Sequence, residues 1–355
     1  MNYIFQLLQV AIGNRDCLTS CPTGEEWEEL YSSSNRQRVI ATVFDGILKL
    51  PKEQLPPSEL FAKWQEDARI EKERRKRDAE ICRKACETHE RNGFYSCVLM
   101  PRFEQVRDER LEVRGGDPRD IDILCWSKDK KDGKRTIVEY VNFQYVSSTK
   151  HIKPKVVRQH VDWKSGNFPM NVNFKSSYLN CPWYNKRYEA WVREMVEKTS
   201  KSDSCELPVE FHVVYQLMHL YKRFFCEDLR FGHLLEYYYT LREFKDEGLE
   251  VRDKSLEIIG RLGMKKFAGA VMYVLQTVFA MPDEYLLCKP DVRHGSFVLK
   301  MTNLAGEYGR AYERTRTLSH LGKIGRYLYW IKRNKPFITQ YPSEMMFETY
   351  RKIVG

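Results

Sequence analysis

No run in this 355-residue sequence is apolar for long enough to cross a bilayer. The longest nearly apolar stretch, Phe267 to Met281, is broken by Gln276 and falls short of the roughly 20 residues that a spanning helix needs. At the amino terminus there is no basic leader and no small-residue cleavage site, and Gln6 and Gln9 interrupt Met1 to Ile12 at helical spacing. That opening reads as an amphipathic helix rather than a signal peptide. The ten cysteines, at 17, 21, 82, 86, 97, 125, 181, 205, 226 and 288, are too scattered for a dense disulfide framework. Reduced thiols and a cytoplasmic location are expected. A full P-loop, a Gly-x-Ser-x-Gly elbow, a Rossmann glycine fingerprint and a Cys-x-x-Cys knuckle are all missing, as is any repeat of fixed period.

What is present describes a globular protein. A composition of 42% hydrophobic, 13% aromatic and 30% charged residues can offset the entropy of ordering the chain. At roughly 150 residues per domain, the length suggests two domains, or one with a helical extension. The net charge of +10 favours anionic partners. Most of it comes from Arg310 to Gly355, where ten Lys or Arg face three Asp or Glu and alternate with Tyr327, Tyr329, Trp330, Phe337, Tyr341 and Phe347. Such a segment suits either a helical terminus with solvated charges or a surface that meets nucleic acid or lipid.

Residues 1 to about 92 read as helices. Thr23 with Glu26 makes a capping box behind Pro22, with Trp27, Leu30 and Tyr31 at helical spacing beyond it. Val39 to Leu50 is a second helical run, stopped by Pro51 and by Pro56-Pro57. Ser58 to Arg91 predicts a long charged helix whose buried face would hold Phe61, Trp64, Ala68, Ala79, Cys82 and Cys86, with Asn92-Gly93 as its C-cap. Short strand-like runs follow at Cys97 to Met100, Ile121 to Trp126, Val156 to Trp163 and Met170 to Phe174. Thr136 to Val146 fits a strand by β-branching and a helix by periodicity. From Trp183 the pattern is helical, clearest over Val213 to Phe225, Gly232 to Phe244, Ser255 to Leu262 and Phe267 to Phe279.

The most informative string runs from Arg114 through Gly115-Gly116-Asp117-Pro118-Arg119-Asp120-Ile121-Asp122 to Leu124. Carboxylates two residues apart on a strand share one side of the sheet, so Asp120 and Asp122 can grip one cation together. Mg²⁺ favours one or two carboxylates, with water and substrate phosphates completing its shell. A solvated strand end accounts for the same residues. Arg114 and Arg119 are either partners for a triphosphate or surface arginines in a polar loop.

Several stretches together resemble a bacterial family of uncharacterised nucleotidyltransferases within the polymerase-beta-like superfamily. They are Ile12-Gly13-Asn14-Arg15-Asp16, Leu50-Pro51-Lys52-Glu53-Gln54 with Pro56-Pro57, Asn92-Gly93-Phe94, Asp120-Ile121-Asp122-Ile123, His160-Val161-Asp162, Tyr215-Gln216-Leu217-Met218-His219 and Lys266 to Leu275. The resemblance covers most of the chain. It implies an α+β fold in which a small mixed sheet at 93–182 forms the nucleotidyltransferase core between helical regions at 1–92 and 183–355. It also implies that Thr136 to Val146 is a helix. The implied activity is magnesium- or manganese-dependent transfer of a nucleotide from an NTP to an acceptor, which could be a small molecule, protein or RNA. Asp120 and Asp122 would be metal ligands.

Two positions depart from the pattern. Asn171 stands where the third catalytic carboxylate is expected, and an amide neither offsets the ion's charge nor serves well as a base. Met100-Pro101 replaces the glycine turn that brings phosphate to backbone N–H groups, and proline has no N–H. A catalytically inactive module that binds nucleotide or a partner is therefore the alternative. His219, Arg223, Arg230 and Glu236 either line the nucleotide or acceptor cleft or, in the case of His219, belong to the core. Cys82 with Cys86, and Cys17 with Cys21 if that piece is helical, are one turn apart, as buried thiols or as zinc ligands.

Overall fold

The computed structural model describes residues 3–98, 121–127, 160–165, 168–173, 181–201, 207–226, 228–305 and 334–354. Four helices open the chain: α1 (Tyr3–Ala11), α2 (Gly24–Arg36), α3 (Ile40–Ile47) and α4 (Ser58–Arg91). The capping box at α2 forms as expected: the Glu26 backbone N–H donates to the Thr23 hydroxyl at 3.3 Å, and the Thr23 N–H donates to the Glu26 carboxylate at 2.7 Å. Helix α3 ends at Ile47, ahead of Pro51, and Gly93 follows α4 with a positive φ of 85° that a side chain would strain. Leu60, Trp64 and Ala68 in the first third of α4 are deeply buried, as is His89 near its end, while Ala79 and Cys86 are half-buried. Farther along, its charges pair with one another, as in Glu66–Arg69, Glu71–Arg75, Glu80–Lys84 and Arg83–Glu87. These i,i+3 and i,i+4 pairs support a solvated helix at a few tenths of a kcal/mol each. The piece holding Cys17 and Cys21 is not helical, and both are exposed free thiols.

Four strands follow, β1 (Phe94–Val98), β2 (Ile121–Ser127), β3 (His160–Ser165) and β4 (Phe168–Asn173), in the order β1-β2-β4-β3. The central pair, β2 and β4, is parallel, and both outer pairings are antiparallel. The helices α5 (Pro182–Lys201), α6 (Val209–Cys226), α7 (Phe231–Phe244), α8 (Leu249–Arg261), α9 (Lys265–Phe279), α10 (Val292–Asn303) and α11 (Pro342–Val354) complete the described chain, with a helical stretch at 334–340 before α11.

The expected α+β class is corrected by this inventory: the described chain is mostly helical. Its buried apolar cluster is built mainly by helical residues, and among the described residues Cys97 of β1 and Leu124 of β2 join it. The expectation gave the strand-like middle third too much weight. The four strands run only five to seven residues each, whereas the described helices are longer and more numerous, and α6, α7 and α9 bury most of their residues.

Both ends of the chain build that cluster. The Gln9 amide donates to Val278 O at 3.1 Å, and Asn14, beside Gly13 in its positive-φ turn, donates to Phe279 O at 2.7 Å. Asn14 thereby satisfies a carbonyl at the end of α9 that has no partner within the helix. Gln37 donates to Thr302 O at 2.9 Å and accepts the Phe231 N–H at 3.1 Å. No described helix is long and apolar enough to cross a bilayer.

Candidate functional site

The sheet register brings three of the chain's polar residues into one row. Asp122 on β2 pairs with Asn171 on β4, and Asn171 pairs with Asp162 on β3. Direct cross-strand partners share a face, so Asp122, Asn171 and Asp162 occupy the same face across three strands. Helix α4 packs on the opposite face. Ser96 pairs with Cys125, three residues from Asp122 and hence on the other side, and the Ser96 hydroxyl donates to Cys86 O of α4 at 3.5 Å. Phe94, on the Ser96 side, is buried, and so are Cys97 and Leu124 on the side of the row. The row is therefore not on the side that α4 covers. One step along the same face lies the row Leu124, Asn173 and His160.

Asp162 is the residue that sequence reasoning missed. His160-Val161-Asp162 attracted notice only as a familiar stretch. The β3–β4 hairpin register, which no local pattern specifies, sets its aspartate beside Asn171. Asp120, Arg114, Arg119, the Gly115-Gly116 loop, Met100-Pro101 and the helix expected over Thr136 to Val146 lie outside the described residues.

His219 and Arg223 are brought together inside the helical core. Both are buried, and Arg223 Nε donates to His219 Nε2 at 2.8 Å. An acceptor Nε2 carries no proton, so His219 is neutral with its hydrogen on Nδ1. Tyr215 stacks against the imidazole with centroids 6.3 Å apart. His212 and Gln216 extend the same stripe of α6 at helical spacing, and Gln216 accepts the Thr240 hydroxyl of α7 at 2.8 Å. Glu236 is buried on α7. Arg230 sits at the N-cap of α7, 4.0 Å from the Asp228 carboxylate.

Among the described residues, no three His, Cys, Asp or Glu side chains gather to hold a metal ion. Comparison with protein-family models, curated proteins and solved structures finds no match to this chain.

Proposed function

We propose that this protein is a metal-dependent nucleotidyltransferase, moving an NMP from an NTP to an acceptor hydroxyl on a small molecule, protein or RNA. The observation that carries the reading is the row Asp122–Asn171–Asp162 on the sheet face away from α4. Two carboxylates and an amide are hard oxygen donors of the kind Mg²⁺ or Mn²⁺ accepts, and Asp120, two residues before Asp122 in sequence, is a third candidate carboxylate. Asp120, Asp122 and Asp162 would hold the ion, which when bound supplies charge neutralisation and orientation for an in-line displacement at phosphorus. Asp162 restores the negative charge that Asn171 lacks. Arg114 and Arg119, which precede the strand in sequence, are the candidate cations for the triphosphate. A cytoplasmic setting fits the nucleotide supply and the free thiols.

Asn171, at the centre of the row, favours a second reading, an inactive module that binds nucleotide or a partner. One experiment separates the two. The purified protein is incubated with each NTP labelled on the α-phosphate, with Mg²⁺ or Mn²⁺ and a cell lysate as acceptor source. Transfer should occur, should disappear in Asp122→Ala and in Asp162→Ala, and should rise in Asn171→Asp. If no label moves but metal and nucleotide still raise the melting temperature, the binding module stands. Transfer that survives Asp122→Ala refutes the assigned site.

A further inference from the structure

A cavity of about 640 Å³, lined by no residue of the sheet, lies between the start of α5, the α8–α9 turn and α11. Its walls combine two chemistries. Trp183 is a large apolar side chain left 66% exposed, and Phe347 of α11 meets it edge-on with ring centroids 5.7 Å apart. Tyr184 packs on Gly263, where a Cβ would come within 2.5 Å of its ring, so only glycine admits the tyrosine there. Gly263 also has φ +74°, which closes the turn into α9.

The second chemistry is positive charge. Lys265 and Lys266, the first two residues of α9, line the cavity, are exposed and have no acidic partner among the described residues. Met264, at the N-cap, supplies no side-chain hydrogen bond. The first-turn N–H groups therefore remain for water or an anion, at the helix end where the dipole favours negative charge. Arg187 adds a third cation, held by its donation to Arg261 O at 3.0 Å, with its guanidinium 5.9 Å from the centroid of the Tyr184 ring. Glu344 is the acidic wall residue and accepts the Ser343 hydroxyl at 2.6 Å. Tyr341, also on the wall, is 3% exposed, with its hydroxyl sealed from solvent and without a hydrogen-bond partner among the described residues.

We propose that this cavity binds a nucleoside monophosphate or a ligand of the same build, a planar ring joined through a polar linker to a phosphate. The ring lies against Trp183 and Phe347, and the phosphate meets Lys265, Lys266 and the α9 N-terminus. Aromatic side chains stack on any base, so the ring contact gives affinity without base selectivity. The size suits a ligand of this class. This site stands apart from the row on the sheet and does not depend on transferase activity.

The test is calorimetric titration of the full chain with AMP, GMP, CMP and UMP in EDTA, with ribose 5-phosphate and inorganic phosphate as probes of the anion alone. The nucleotides should bind at least tenfold tighter than ribose 5-phosphate, and Trp183→Ala should remove that advantage. The exposed double change Lys265→Glu with Lys266→Glu should weaken nucleotide binding at least tenfold, with an unaltered circular dichroism spectrum. Asp122→Asn should leave it unchanged, which keeps this result separate from the sheet site. The proposal is overturned if no monophosphate binds, if ribose 5-phosphate matches the nucleotides, or if charge reversal changes nothing.

Discussion

Gly46 sits in α3 where that helix crosses α1, and a Cβ placed there would lie 2.3 Å from Leu7 O, 3.2 Å from Leu7 C and 3.3 Å from Ala11 N. All three are backbone atoms of α1, so no side-chain rotation relieves the contact. Gly46→Ala would have to separate the helices by roughly an ångström to reach the 3.4 Å where ordinary contact begins. The move is resisted on both sides. Leu7, Leu8, Val43 and Ile47 are fully buried along this crossing, and α1 is tied to α9 by the Gln9–Val278 hydrogen bond. Overpacking of a rigid core costs about 1–3 kcal/mol, and a backbone obstacle belongs at the upper end. Alanine's better helix propensity returns about 1 kcal/mol, which leaves a net destabilisation of about 2 kcal/mol. The assay is urea denaturation followed by circular dichroism and tryptophan fluorescence. Gly24→Ala, at the first turn of α2 with nothing within 4 Å of its Cβ, is the matched control and should be neutral or slightly stabilising. A Gly46→Ala midpoint at or above wild type, or an equal drop in both variants, would refute the reasoning.

Three further outcomes follow from buried groups. Burial depresses the His89 pKa to about 4 from its usual 6.5, so the unfolded chain takes up a proton that the folded one refuses. His89 stability is fully present above about pH 6.5 and is lost as pH falls toward 4, by up to about 3 kcal/mol; His89→Leu should flatten the urea midpoint across that range. Burial raises the Asp45 pKa above its ordinary 3.8 against the pull of Lys72, whose Nζ lies 2.7 Å from Oδ1. The folded state therefore holds that proton more tightly. Asp45→Asn should be at least as stable as wild type at pH 7, and its relative advantage should shrink as pH falls toward 3.8 and be gone below it. Trp64 is fully buried, donates its indole N–H to Ile40 O at 3.1 Å, and meets Trp27 and Tyr31 edge-on. Trp64→Phe should cost about 2 kcal/mol in chemical denaturation from the lost hydrogen bond and the void.

Local chemistry determined much of this protein from sequence alone. Thr23 and Glu26 cap α2 because the two groups lie within reach three residues apart, Pro51 ends a helical run by lacking an N–H, and Gly93 follows α4 because it tolerates positive φ. Near-neighbour geometry acts in any chain that carries those residues. Tertiary structure alone decided the rest. The mostly helical class shows in the long described helices that carry the buried apolar cluster, which the strand-like runs in the middle third did not reveal. Asp162 joined Asp122 through pairing across β3, β4 and β2, and Asn14 found its role at the far end of α9. The aromatic and basic walls of the cavity come from segments roughly eighty residues apart along the chain. Contacts of that kind form only when hydrophobic burial fixes helices and strands against one another, and no window of neighbouring residues encodes the result.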